Sequence, residues 1–143
     1  VMARLSKAER EQVRRMFDGR CAYCGEPLPA RWHVDHIEPV MRAAVSVKTP
    51  AGWRLRAGPM LNPERDTADN YMPACPPCNI SKSTFSVEQW RQSLQRHLDS
   101  LSSYTPIYRM VKRFGLIAET GAAVIFYFER ARANQQEGRD NGN

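Results

Sequence analysis

Apolar residues recur along this chain in two rhythms, and each change of rhythm marks a boundary. Ala8, Val13, Met16 and Phe17 fall on one side of a 3.6-residue repeat, which predicts an amphipathic helix near the N-terminus. Ser6 followed by Glu9 forms a capping box at its start, and Gly19 stops it. The run from Trp32 to Ile37 is short, rich in strand formers and closed by Pro39, so it predicts a strand. Residues 45–56 alternate on either side of a Pro-Ala-Gly turn, the pattern of a hairpin. Residues 62–70 are polar and loop-like, and 79–82 should begin a short helix. Ser86 and Gln89 make a second capping box, ahead of Val87, Trp90, Leu94, Leu98 and Leu101 at helical spacing. Pro106 opens a third long helix that Gly115 ends. Residues 116–119 and 123–129, about a Thr-Gly turn, suggest a terminal hairpin, and the polar tail from Asn134 is predicted to be disordered. No internal repeat is visible.

A chain of 143 residues, 42% of them hydrophobic, suits one compact domain or a small core with appendages. No apolar run approaches the roughly 20 residues that cross a bilayer. The longest, residues 122–128, reads as a buried strand. The N-terminus lacks the charged, apolar and small-residue succession of a signal peptide. The expected compartment is the cytoplasm, where thiols stay reduced.

Twenty-one basic and fifteen acidic residues leave a formal charge of +6, which favours polyanionic partners. Arg42, Lys48, Arg54 and Arg56 lie between Pro39 and Pro63 with no acid among them. Such a run is commonly a solvated face. Its one-sidedness and the interleaved Trp53 also suit contact with a DNA backbone.

The four cysteines form two Cys-x2-Cys knuckles, Cys21–Cys24 and Cys75–Cys78. Disulfides would suit a secreted chain, and a thioredoxin-like pair would leave the second knuckle unexplained. A tetrahedral structural Zn2+ site uses all four thiolates. The interval between the knuckles is longer than in ordinary zinc ribbons, so further structure must be built inside it.

In sequence order, Cys21, Cys24, Asp35, His36, Asn70, Cys75, Cys78, Asn79 and Lys82 resemble the motif of the HNH endonucleases, a branch of the ββα-metal (His-Me finger) nucleases. The match spans residues 21–83, and the compact chain is similar to stand-alone HNH proteins of phage and bacterial genomes. The last motif residue, usually histidine, is Asn79 here. The resemblance implies an α+β fold: a zinc-clipped ββα-metal core with an N-terminal helix, an inserted basic hairpin over residues 40–69, and C-terminal helices plus hairpin. Residues 1–104 would form the nuclease domain, 105–133 an extension packed on it and 134–143 a free tail. The implied activity is divalent-metal-dependent hydrolysis of DNA, with Asn70 steadying the loop that presents the histidine.

The side-chain chemistry suits that activity independently. Phosphodiester hydrolysis needs a base for water, and an imidazole, offered here by His36, is the side chain most often used for that. Asp35 offers a hard anionic oxygen and Asn79 a neutral one, a donor set that suits Mg2+ or Mn2+. Neighbours on a strand face opposite ways, so Asp35 and His36 can share a site only if the chain bends at the strand end. Each residue also has a plainer reading: an ordinary His-Asp pair, a helix cap at Asn79, a turn residue at Asn70. His33 shares the face of Asp35 and is a further candidate ligand for metal or phosphate. Lys82 either touches phosphate or lies in solvent, and His97 reads as structural. Two other functions compete: a zinc-stabilised nucleic-acid-binding module without turnover, and a junction-selective resolvase.

Overall fold

The computed structural model describes residues 5–140. Five helices and four strands are found among them, and the strands form two separate two-stranded antiparallel sheets. Helix α1 (Lys7–Arg15) carries the capping box, with Ser6 Oγ accepting from the Glu9 amide and the Glu9 carboxylate accepting from the Ser6 amide. Only half of its apolar stripe reaches the core: Val13 and Phe17 are buried, whereas Ala8 and Met16 are exposed.

Strand β1 (His33–His36) pairs with β4 (Tyr71–Ala74), placing His33 opposite Ala74 and His36 opposite Tyr71. Between them the chain makes a long hairpin, β2 (Arg42–Thr49) with β3 (Gly52–Met60), in which no residue is buried. The polar stretch after it forms two 3-10 turns, Pro63–Arg65 and Ala68–Asn70.

Helix α2 (Pro76–Lys82) starts earlier than the sequence suggested. Prolines suit a helix's first turn because the amides they lack have no partner there, so the helix begins within the second knuckle. Helix α3 (Val87–Tyr104) carries the second capping box, and α4 (Pro106–Arg113) follows with Pro106 at its start. Helix α5 (Tyr127–Asp140) ends the described chain.

The core gathers Val13 from α1, Phe17 from the turn after it, the first knuckle, Met72 and Ala74 from β4, Trp90 from α3, and Phe126 and Phe128. Trp90 stacks on Phe126 at 4.8 Å between ring centroids, and Tyr23 meets Trp90 edge-on at 5.2 Å. Aromatic contacts of these two kinds add about 0.5–1.5 kcal/mol each beyond the area they bury.

The predicted C-terminal hairpin is absent. Residues 116–126 contain no strand, and the strand-like alternation at Phe126 and Phe128 serves docking instead. The amides of Tyr127 and Phe128 donate to the carbonyls of Tyr23 and Ala22, so the segment lies along the first knuckle. Gly25, at φ +78, permits this approach; a Cβ there would stand 2.8 Å from the Tyr127 ring. Arg91 of α3 ties the segment down, bonding the Val124 carbonyl and pairing with Glu129 at 2.5 Å. The predicted disorder from residue 134 also gives way to helix, which continues to Asp140; residues 141–143 lie outside the described residues. With the first turn of α5 anchored by Phe128 and Glu129, each further helix-forming residue adds a hydrogen bond without a new nucleation cost.

Candidate metal centre and adjoining cleft

The two knuckles meet. The sulfur atoms of Cys21, Cys24, Cys75 and Cys78 all lie within 4.8 Å of one another, and Cys24 Sγ is 3.8 Å from Cys75 Sγ. A zinc ion with four bonds of about 2.3 Å sets its sulfurs about 3.8 Å apart, so the donor set and spacing fit Zn2+. A hydrogen bond from Cys78 lowers the Cys21 thiol to about 4, despite its burial. Burial pushes Cys24 up to about 11, and Cys78 is raised by its bond to Cys21. The Cys21 thiol is thus biased toward the thiolate, the form that binds a metal. Among the described residues this is the one group of three or more Cys, His, Asp or Glu side chains so gathered.

The first knuckle also reaches the second cluster of polar groups. Tyr23, between Cys21 and Cys24, is buried, and its hydroxyl donates to Asp35 Oδ2 at 2.5 Å. Burial and the neighbouring Asp35 charge raise the Tyr23 phenol far above its usual range, so it stays a donor. Lys82 Nζ approaches the same oxygen at 3.1 Å and donates to the His36 carbonyl at 2.7 Å. Both readings of Lys82, on phosphate or in solvent, are corrected: the residue is fully buried. Its position on the last turn of α2 turns the ammonium inward to β1. Asp35 Oδ1 receives no hydrogen bond among the described residues, which leaves it open as a cation ligand.

His36 is buried and its Nε2 lies 2.8 Å from Asp66 Oδ1. Tyr71 donates to the same Asp66 oxygen at 2.9 Å, and its ring meets the imidazole edge-on. Burial alone would raise the Asp66 carboxyl, but the bonds from His36 and Tyr71 outweigh it and hold the group below its usual value. Burial and Asp66 together push the Tyr71 phenol up to about 12. An ionised Asp66 accepts only, so Nε2 carries the ring proton and Nδ1 is left as the basic nitrogen.

Asp35 and His36 border one cleft of about 300 Å3, together with Pro39, Arg42, Ser83 and Thr84. The chain does turn at the end of β1, as a shared site requires. Asn70 braces that turn: its amide nitrogen donates to the carbonyls of Glu38 and Arg65, and its side-chain oxygen accepts from the Glu38 amide. Two non-glycine residues at the rim, Met41 (φ 46) and Ser83 (φ 49), adopt left-handed backbone, a strained state worth about 1–3 kcal/mol each.

Asn79 stands beside His33, its amide nitrogen 2.8 Å from His33 Nδ1. The two candidates are thus brought together on the α2 side of β1, and the residues bordering the cleft do not include them. His97 bonds the Ser93 carbonyl of its own helix. Of the basic run, Arg42 borders the cleft, whereas Lys48, Arg54 and Arg56 lie exposed along the hairpin.

Sequence reasoning missed Tyr23, Asp66 and Tyr71. Tyr23 carries no signal that separates it from a solvent-facing knuckle residue; its burial comes from Trp90, Phe126 and Phe128, which are remote in sequence. Asp66 carries none, because Glu64, Asp66 and Asp69 look alike in a polar loop. Comparisons of the chain with known protein families, with curated proteins and with solved structures return no match.

Proposed function

We propose that the protein is a divalent-metal-dependent DNA endonuclease of the HNH type. One observation carries this reading: an imidazole held at Nε2 by Asp66 and a carboxylate whose second oxygen accepts no hydrogen bond among the described residues border the same cleft, beside Arg42. In the proposed reaction, His36 takes a proton from water through Nδ1 while Asp66 holds the ring by Nε2. Asn70 fixes the turn that presents the imidazole, and Arg42 offers its guanidinium to phosphate oxygens. A cation held by Asp35 Oδ1 would supply Lewis-acid stabilisation of the charged phosphorane and the leaving 3′-oxygen, whereas Asn79, bonded to His33 and outside the cleft's border, is left out of that ligand set. The four cysteines have a separate duty, joining two segments remote in sequence through a structural zinc.

A second reading is favoured by Lys82. Its ammonium already neutralises Asp35, as it would in a nucleic-acid-binding module that does not turn over. Supercoiled-plasmid cleavage separates the two. Wild-type protein, zinc-loaded and supplied with Mg2+ or Mn2+, is expected to yield open-circular or linear product, and His36→Ala to yield none. Salt-dependent DNA binding without cleavage in any divalent metal would establish the binding module instead.

A further inference from the structure

The β2–β3 hairpin exposes two different faces. Residues paired across an antiparallel ribbon share a face. Val45 pairs with Arg56 and Val47 with Arg54; Ser46 pairs with Leu55 and Lys48 with Trp53. Arg54 and Arg56 therefore project on one side, and Trp53, Leu55 and Lys48 on the other. Trp53 is 71% exposed and Leu55 73%, whereas Trp32 and Trp90 are 8% and 4% exposed. Packing within the protein does not explain these two side chains. An isolated two-stranded ribbon is marginal in water, and an exposed indole adds nothing to its core.

We propose that this hairpin is an arm that grips duplex DNA beside the cleft, with Arg54 and Arg56 on phosphates and Trp53 and Leu55 against the bases. The inference rests on the nuclease reading for its choice of partner and adds where and how that partner is held. Charge selects the occupant. The arm carries four cations and no acid, and Lys48 directly neighbours Trp53, so the apolar face is edged by positive charge alone. A second copy of a chain with net charge +6 would be repelled there. A polyanion with flat apolar groups fits both faces, and the major groove, about 12 Å wide, admits a two-stranded ribbon.

The arm is also continuous with the cleft. Arg42 begins β2 and borders the cleft holding Asp35 and His36. At its foot β3 carries one more residue than β2 between the pairs Arg42↔Met60 and Ala44↔Ala57, and such a bulge bends a ribbon. From Arg42 to Lys48, at about 3.3 Å per residue, is about 20 Å. That length is roughly six base pairs of duplex at about 3.4 Å each, so Trp53 would touch DNA about six base pairs from the phosphate in the cleft.

Trp53 is its own reporter, because the other two tryptophans are buried. The experiment uses full-length, zinc-loaded His36→Ala protein, a duplex of about 20 base pairs, and tryptophan emission with acrylamide quenching. DNA is expected to change Trp53 emission and shield it from acrylamide. Trp53→Ala should abolish that signal and weaken affinity about tenfold, with an unchanged salt dependence. The Arg54→Ala/Arg56→Ala variant should lower the slope of log K against log salt by about 1.8, or about 0.9 per phosphate. DNA bound with Trp53 emission, its quenching and the Arg-variant slope all unaltered overturns the arm and leaves the nuclease reading standing. Shielding of Trp53 by DNA, with no cleavage by wild type, removes the nuclease reading and keeps the arm. A response to phosphatidylglycerol vesicles and none to DNA overturns the arm in favour of a membrane surface.

Discussion

Lys82→Met removes an ammonium that the fold has buried without contact with water. The side chain of Lys82 is 0% exposed and that of Asp35 is 9% exposed, with 3.1 Å between Nζ and Oδ2. Removing one member of a buried ion pair costs about 3–5 kcal/mol, because the other charge is left uncompensated. Tyr23 still donates to Asp35 in the variant, which places the expected cost near the lower end, about 3 kcal/mol. With a urea slope of about 1–3 kcal/mol/M, the unfolding midpoint should fall by about 1–3 M. The assay is equilibrium urea unfolding at neutral pH, with free zinc held constant so that metal linkage does not vary between proteins. Asp35→Asn in the Lys82→Met background should recover part of the loss, since the neutral amide still accepts from Tyr23. A midpoint within about 0.3 M of wild type, equivalent to under 1 kcal/mol at that slope, would refute the argument. So would a double-mutant cycle with no coupling between the two positions.

Asp66→Ala frees the His36 ring and should lower kcat for the proposed plasmid cleavage about 100-fold with KM unchanged, read from steady-state kinetics; a matching rise in KM would point to damaged binding. One zinc per chain is expected by elemental analysis, and its removal by a strong chelator should abolish cooperative unfolding, as should Cys75→Ser. For Glu129, burial raises the carboxyl but the bonds from Arg91 and the Phe126 amide outweigh it and hold the pKa below the ordinary glutamate value. Its stabilising contribution is therefore full above that value and lost as pH falls through the lower folded one. The stability advantage of wild type over Glu129→Gln should hold steady from pH 7 to about 5 and vanish in stronger acid, as followed by urea midpoints.

The helices with capping boxes were legible because their signals are local: Ser6 and Glu9, or Ser86 and Gln89, decide a helix start among four neighbouring residues. The knuckles were legible because metal ligation constrains spacing. The C-terminal segment was misread for the opposite reason. Alternation at Phe126 and Phe128 describes an extended chain with one buried side, and it does not distinguish a strand partner from the backbone of a knuckle about 100 residues earlier. In the cleft, Asp35 and His36 stood out through their bracket of cysteines. Asp66 and the inward turn of Lys82 did not, because both depend on contacts 30 and 47 residues away in sequence, across a fold the pattern alone does not assemble.

The short bond from Tyr23 to Asp35 has a thermodynamic consequence. Cys21 and Cys24 flank Tyr23, so an ion bound by the cysteines restricts the same few backbone torsions that aim the phenol at the carboxylate. Affinities coupled through one shared element change reciprocally, by the same factor in each direction. Where a cation at Asp35 and an ion at the cysteines couple through this bond, each alters the other's affinity in the same direction and by the same factor. The affinity of the cysteine site for Zn2+, measured by competition with a colorimetric chelator, would then report at a distance on what occupies the cleft.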